Sequence, residues 1–369
     1  MTVEQDINRK VYGILDILKT DALKPTTKEG DGEHSIVQKG SNGVAFGENS
    51  TLLGTSTTNA KDRGITEEST PAEIYQEWQS SDPESDKFAL AYGEAAFVEG
   101  NNNLALGKNS HAEGNGTVAA DNSSHSEGTG SVASGKYAHA EGLETTASGD
   151  RSHSEGHNTL ASGNGSHVEG EKVTYNNKDY GIASGVNSHS EGSSRAEGEK
   201  SHAEGNHTQA LGKYSHVEGS RSVAGNGTRQ NKDTSLVAGD ATHAEGSATI
   251  ASGLAAHAEG ERTQATGGHG SHAEGWASLA QGDASHCEGV DTVAYNYAEH
   301  AEGEGNVSHT GDTAAKKTRH SIGIGTESSR KNAVEVMENG DVYVNGLGGY
   351  DGTNAGESGV LTLQALLTQ

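Results

Sequence analysis

Glycine returns every seven residues along most of this 369-residue chain, and that spacing restricts the fold more than any other property. From Gly93 it falls at Gly100, Gly107 and Gly114, and after Asp121 at Gly128, Gly135, Gly142, Gly149, Gly156, Gly163 and Gly170. The heptads alternate between two kinds, Ser-His-Ala-Glu-Gly and Thr-Val-Ala-Ser-Gly with their variants, so the true period is about fourteen residues. Helical repeats need two helices per unit and a longer period, whereas fourteen residues suit one coil of a parallel β-solenoid. Each heptad then supplies one side of the coil, a short strand and a corner, with glycine giving the positive φ or close backbone approach that the corner demands.

Alternate residues of a strand share a face, which sorts the columns. Two residues before glycine stand Ala112, Ser126, Ala133, Ala140, Ala147, Ser154, Ala161 and Cys287; four before it stand Ser110, Ser124, Ser131, Thr145, Ser152 and Thr159. Only small side chains occupy these columns, so they are expected to point inward between two closely spaced sheets, with Cys287 a small buried hydrophobe. Three before glycine, one side of the coil carries Val118, Val132, Leu160, Ile182, Ile250, Leu279 and Val293, interrupted at Gln209 and Gln264. An outward apolar stripe is a liability in water, so this column is expected to be a self-association seam.

The other side repeats His-x-Glu thirteen times. Its members include His111 and Glu113, His125 and Glu127, His139 and Glu141, His153 and Glu155, His167 and Glu169, His202 and Glu204, His216 and Glu218, His257 and Glu259, His272 and Glu274, and His286 and Glu288. Imidazole and carboxylate two apart on one strand share a face, and coils stack at about 4.8 Å, which is compatible with metal binding. Because every coil repeats the pair, it reads instead as a structural ladder of histidine donors and glutamate acceptors. Stability sensitive to pH between about 5 and 7 is then expected. No catalytic residue, cofactor or metal is expected, since catalysis needs an irregular constellation and a repeat offers the same groups everywhere.

A mere 30% of residues are hydrophobic and 4% aromatic, and the formal charge is −26. A conventional globular core is thereby excluded, and the acidity argues against a nucleic-acid partner. The opening segment, MTVEQDINRKVYGILDILK, has no continuous apolar run, and no membrane insertion is expected.

Five segments follow. Residues 1–28 form an N-terminal helical segment, with Ile7, Val11, Ile14 and Leu18 as an a/d seam for anchoring or trimerisation. Residues 29–54 make the first coils, and 55–87 an insertion whose Thr70-Pro71-Ala72-Glu73 announces a capped helix. Residues 88–305 are the main roll, with insertions near 171–181 and 226–234 expected to project as loops. Residues 306–369 hold a hairpin, Val334 and Val336 against Val342 and Val344 around Asn339-Gly340, expected to cap the end of the roll.

Segments such as GSVASGKYAHAEG and TIASGLAAHAEG resemble the head repeat of YadA-like trimeric adhesins, and SIGIGTESSRKNAVEVMENGDVYVNG is similar to segments that follow related rolls in phage tail or head fibres. The resemblance implies an all-β fold, a homotrimeric left-handed parallel β-roll. It also implies a structural fibre protein of a bacteriophage virion, assembled in the host cytoplasm. Such a fibre would join other virion proteins through its N-terminus and touch a host-surface glycan or protein. With neither a secretion signal nor a C-terminal membrane-anchor barrel recognisable, the alternative, a bacterial trimeric surface adhesin or stalk, is the weaker expectation.

Overall fold

The computed structural model describes residues 23–25, 33–38, 42–56, 58–81, 87–225 and 239–345. It divides into two compact units, residues 1–172 and 173–369. Nearly all regular structure is short parallel strand, and no helix among the described residues is long and apolar enough to cross a membrane.

In the first unit each coil has one longer and one shorter strand. The longer strands Phe97–Asn101, His111–Asn115, His125–Thr129, His139–Leu143 and His153–His157 pair in parallel, each residue against its counterpart one coil on. The shorter strands Leu90–Ala91, Leu104–Ala105, Val118–Ala119, Val132–Ala133, Thr146–Ala147 and Leu160–Ala161 form the second ladder. Ala112, Ala119, Ser126, Ala133, Ala140, Ala147, Ser154 and Ala161 are fully buried between the two, as the column pattern requires. A core of methyl groups holds because the backbone ladders on both sides are complete.

The serine and threonine columns have a specific task. Ser110, Ser124 and Ser152 each donate to the carbonyl three residues earlier at 2.6–2.7 Å. Thr117 and Thr159 donate to the carbonyl four residues earlier at 2.9–3.1 Å. Buried hydroxyls need such partners, and these bonds close each corner locally.

Glycine's role divides in two. Gly100, Gly114, Gly128, Gly142, Gly156 and Gly170 have φ between 99° and 119°, and a Cβ on Gly142 would lie 2.2 Å from the Gly156 carbonyl oxygen. Gly107, Gly135 and Gly149 have no positive φ, yet a Cβ there would lie 2.1 Å from the oxygen of the next coil. The left-handed residue of each corner comes two positions after these glycines, or after Asp121 where it stands in their column, and is mostly not glycine: Asn109, Ser123, Tyr137 and Arg151 at one corner, Asn102, Glu144 and Asn158 at the other.

Thr51–Thr55 pairs directly with Phe97–Asn101, Gly54 opposite Gly100, so the coil register resumes across the 55–87 insertion. Helix α1, Pro71–Ser80, starts with a complete capping box in which the Glu73 amide donates to Thr70 Oγ1 and the Thr70 amide to Glu73 Oε2 at 2.8 Å. Its Ile74 is fully buried among Val44, Phe46, Phe88, Leu90, Leu104 and Val118. Leu23–Pro25 is a short strand antiparallel to Ile36–Gln38. The proposed seam residues Ile7, Val11, Ile14 and Leu18 lie outside the described residues.

The second unit repeats the coil with variations of length. Strands beginning at His189, His202, His216, His243, His257, His272, His286 and His300 pair in parallel, histidine against histidine. The step from His189 to His202 is one residue short and is absorbed by a register shift between Ser193 and Arg195. Residues 226–238, which contain the expected loop at 226–234, lie outside the described residues. His216 pairs with His243 across them.

The 171–181 insertion does not project as expected. Thr174–Tyr175 and Lys178–Asp179 form an antiparallel hairpin that lies back on the coil. Tyr175 stacks on His207 at 4.2 Å, Lys178 Nζ donates to Gln209 Oε1 at 2.9 Å, and Gln209 Nε2 donates to the Tyr180 hydroxyl at 3.1 Å. Beyond the last coil, Thr318–Ile324 pairs in parallel with His300–Glu304 and antiparallel with Asn332–Met337, which in turn pairs with Val342–Val344. The Asn339-Gly340 hairpin is thus present, with Gly340 at φ 92°.

Candidate functional site

Parallel, in-register pairing places identical side chains over one another, and this builds the most distinctive surface of the protein. In the first unit, the rings of His111, His125, His139, His153 and His167 stack with centroids 4.5–4.8 Å apart and planes within 7°. In the second, His189 through His320 stack likewise at 4.6–5.0 Å. The histidines are half-buried.

The expected hydrogen-bonded ladder takes a different form. Nε2 of His111, His125, His139 and His153 lies 3.6–3.9 Å from the carboxylate two residues on, at Glu113, Glu127, Glu141 and Glu155. His216, His257 and His272 face Glu218, Glu259 and Glu274 at 3.6–3.9 Å, and His300 lies 3.8 Å from Glu288. These are ion-pair separations, too long for hydrogen bonds. The reason is geometric: the strand aligns both side chains side by side, so coil-to-coil contact is made by ring on ring and carboxylate by carboxylate. Glu169 belongs to the same carboxylate column, hydrogen-bonded to Glu155, while Glu204 stands half-buried opposite Glu191. His286 stacks between His272 and His300.

Stacking like upon like shifts proton affinities in opposite directions. Burial, and then the neighbouring rings, push His125, His139, His153 and His167 below the ordinary imidazole value. The same causes act on His202, His243, His272 and His300. Burial and the Glu141 contact raise Glu127, and the hydrogen bond with Glu169 together with burial pushes Glu155 up to about 7.

The apolar column is covered by the chain itself over part of its length, which corrects two of its expected seam members. Val118 is 0% exposed because α1 and Phe88 close over it, and Val293 is 5% exposed where Asn306 clasps its backbone amide and carbonyl at 2.7–2.8 Å. Val132 packs at the edge of the α1 cluster, and Ile182 is half-buried beside the 174–179 hairpin. Leu160 and Leu279 are half-buried, and Ile250 is 36% exposed.

Two buried features lie outside the repeat and gave no periodic signal. His309 Nδ1 meets Glu335 Oε1 at 2.7 Å, with Thr318 Oγ1 donating to the same oxygen. Glu299 Oε2 accepts from the Tyr295 and Asn296 amides, Asn296 Nδ2 and Ser308 Oγ at 2.7–3.0 Å, yet burial pushes its carboxyl up to about 7. Cys287 is fully buried with its thiol on the Leu279 carbonyl, and burial pushes its proton affinity upward.

Two sheets separated mainly by small residues, with Leu52, Val98, Val168 and Val217 in the same buried column and coils of about fourteen residues, define a β-roll of the parallel solenoid class. Residues 91–120, 126–152 and 140–166 match the YadA head domain repeat, so these coils are similar to YadA head repeats. No curated protein matches it.

Proposed function

We propose that the protein is a structural fibre component, a homotrimer of β-rolls that serves a bacteriophage virion in capsid or tail decoration and host attachment. The observation that carries this reading is the part of the apolar column left open, Leu160 in the first unit and Ile250 and Leu279 in the second. An outward row of Leu and Ile on an otherwise acidic surface suits a second copy of the same surface. The likeness to YadA head repeats supports side-by-side assembly of three chains. The segment from Ser321 to Gly346, similar to those that follow rolls in phage fibres, supports the virion over the cell envelope. The YadA likeness also favours the second reading, a bacterial trimeric surface adhesin. On either reading the protein is not an enzyme: its serines, histidines and glutamates recur in every coil, and their repetition accounts for them.

Light scattering after gel filtration tests the assembly: Leu160→Asp with Ile250→Asp gives monomer or aggregate where the parent gives trimer. A trimer unchanged in mass refutes the seam. Immunogold microscopy with antibody against residues 55–87 separates the two readings, by labelling phage particles or the bacterial envelope.

A further inference from the structure

The histidine face has a property that neither fibre reading uses. Nε2 of His111, His125, His139, His153, His243, His257 and His272 is shielded from solvent and makes no hydrogen bond within the chain. A shielded nitrogen without a partner is costly. Beside it, at 3.6–3.9 Å, stands the carboxylate two residues on in the pairs of His111, His125, His139, His153, His257 and His272. We propose that this face is a row of binding sites for divalent transition-metal ions of the zinc or nickel class. Each ion sits between successive coils, on Nε2 of two stacked histidines and one oxygen of the glutamate beside them.

The geometry of the donors supports this directly. In the triads His111–Glu113–His125, His139–Glu141–His153, His153–Glu155–His167, His243–Glu245–His257 and His257–Glu259–His272, one ligand atom from each residue lies within 4.8 Å of the others. Two imidazoles and a carboxylate are a donor set of zinc sites, with the fourth position left to water. Zinc–nitrogen bonds of about 2.0–2.1 Å put two nitrogens on a tetrahedral ion about 3.4 Å apart. Rings stacked at 4.5–4.8 Å therefore need only a tilt toward each other to bring two nitrogens onto one ion.

Calcium and magnesium prefer all-oxygen sites and are disfavoured by two nitrogen donors per triad.

The repeat also limits occupancy. A histidine Nε2 offers one lone pair, so triads that share a histidine, at His153 or at His257, exclude each other. The sites of His111–Glu113–His125 and His139–Glu141–His153 share none and fill together. Ions accordingly occupy alternate gaps between coils.

The test uses the full chain, stripped with chelator and titrated with Zn²⁺ by calorimetry and with Co²⁺ by visible absorption. Saturable binding of at least two ions per chain is expected, with the intense d–d bands of tetrahedral cobalt and no competition from excess Ca²⁺. Glu113→Gln with Glu141→Gln leaves the ring stack in place. It should weaken the two sites they serve by about tenfold or more, since even outer-shell partners of a metal are worth that much. Circular dichroism of the metal-free variant checks that the coil is intact, and His111→Gln with His139→Gln provides a second variant that removes a nitrogen from each site. Absence of saturable binding, displacement by Ca²⁺, or unchanged affinity in both folded variants overturns the proposal.

Discussion

Gly142→Ala isolates what the heptad glycine does. Gly142 sits within the strand His139–Leu143 at φ 113°, and an added Cβ would lie 2.2 Å from the Gly156 carbonyl oxygen and 3.0 Å from the Gly156 amide nitrogen. Ordinary carbon contacts begin at about 3.5 Å, so the 139–143 and 153–157 strands would have to part by more than about 1 Å. Five residue pairs of that ladder are involved. Loss of two or three backbone hydrogen bonds at about 1 kcal/mol each, added to about 1–3 kcal/mol for a non-glycine residue in that backbone region, gives about 3–6 kcal/mol. Gly130→Ala is the matched control. Gly130 has φ 67° and its nearest foreign atom would be 3.4 Å from the new Cβ; its counterparts one and two coils on, Glu144 and Asn158, hold φ 55° and 58° with full side chains. That change should cost no more than about 1–2 kcal/mol, the ordinary left-handed penalty. Urea unfolding by circular dichroism gives the difference, and hydrogen exchange of the 139–157 amides shows whether the loss is local, as nearest-neighbour stability in a repeat demands. Equal costs for the two glycines would refute the close-approach argument.

Three further outcomes follow from the packing and the charges. Ile74→Ala empties the centre of the α1 cluster and should cost about 2–5 kcal/mol, with protease cleavage within 55–87 appearing before any cut in the coils; simultaneous cleavage would show that α1 is not a separate cover. In chelator, acid should destabilise the coils: histidines whose proton affinity falls on folding contribute stability above their ordinary value of 6.5 and lose it as pH drops below. Glu155, raised to about 7, contributes in the opposite sense, so Glu155→Gln should steepen the loss between pH 6.5 and 5, and a flat melting temperature in both proteins would sink the coupling. Glu299, also raised to about 7, favours folding below 4.5 and loses that contribution as pH climbs to 7. Glu299→Gln should remove this slope, and an unaltered pH profile would contradict the cost assigned to its burial.

Periodicity made the coil, its inward columns and the two glycine columns readable from residues alone, because a fourteen-residue repeat leaves one arrangement in which every small residue is inside. The α1 cap and the Asn339-Gly340 hairpin were equally plain, both depending on contacts only a few residues apart. What covers the apolar column was not. Whether Val118 meets water depends on where residues 55–87 dock, and nothing at Ile74 or Phe88 specifies an address. The 171–181 hairpin eluded prediction similarly: Gln209 looked like a break in the stripe and is instead the anchor for Tyr180 and Lys178. The corner residues with positive φ were hidden for another reason, since Tyr137 and Arg151 pay a local penalty that the flanking ladders impose. His309 and Glu335, far apart in sequence and outside any repeat, carried no signal at all.

Identical residues face each other from coil to coil, His139 on His153 and Gly142 on Gly156, so the upper surface of a coil is interchangeable with its lower one. Duplication or deletion of one fourteen-residue cassette in the gene would create a junction chemically the same as those already present. Length can therefore drift by whole turns during recombination without compensating substitutions, whereas the loss of a single residue demands a local repair such as the shift between Ser193 and Arg195.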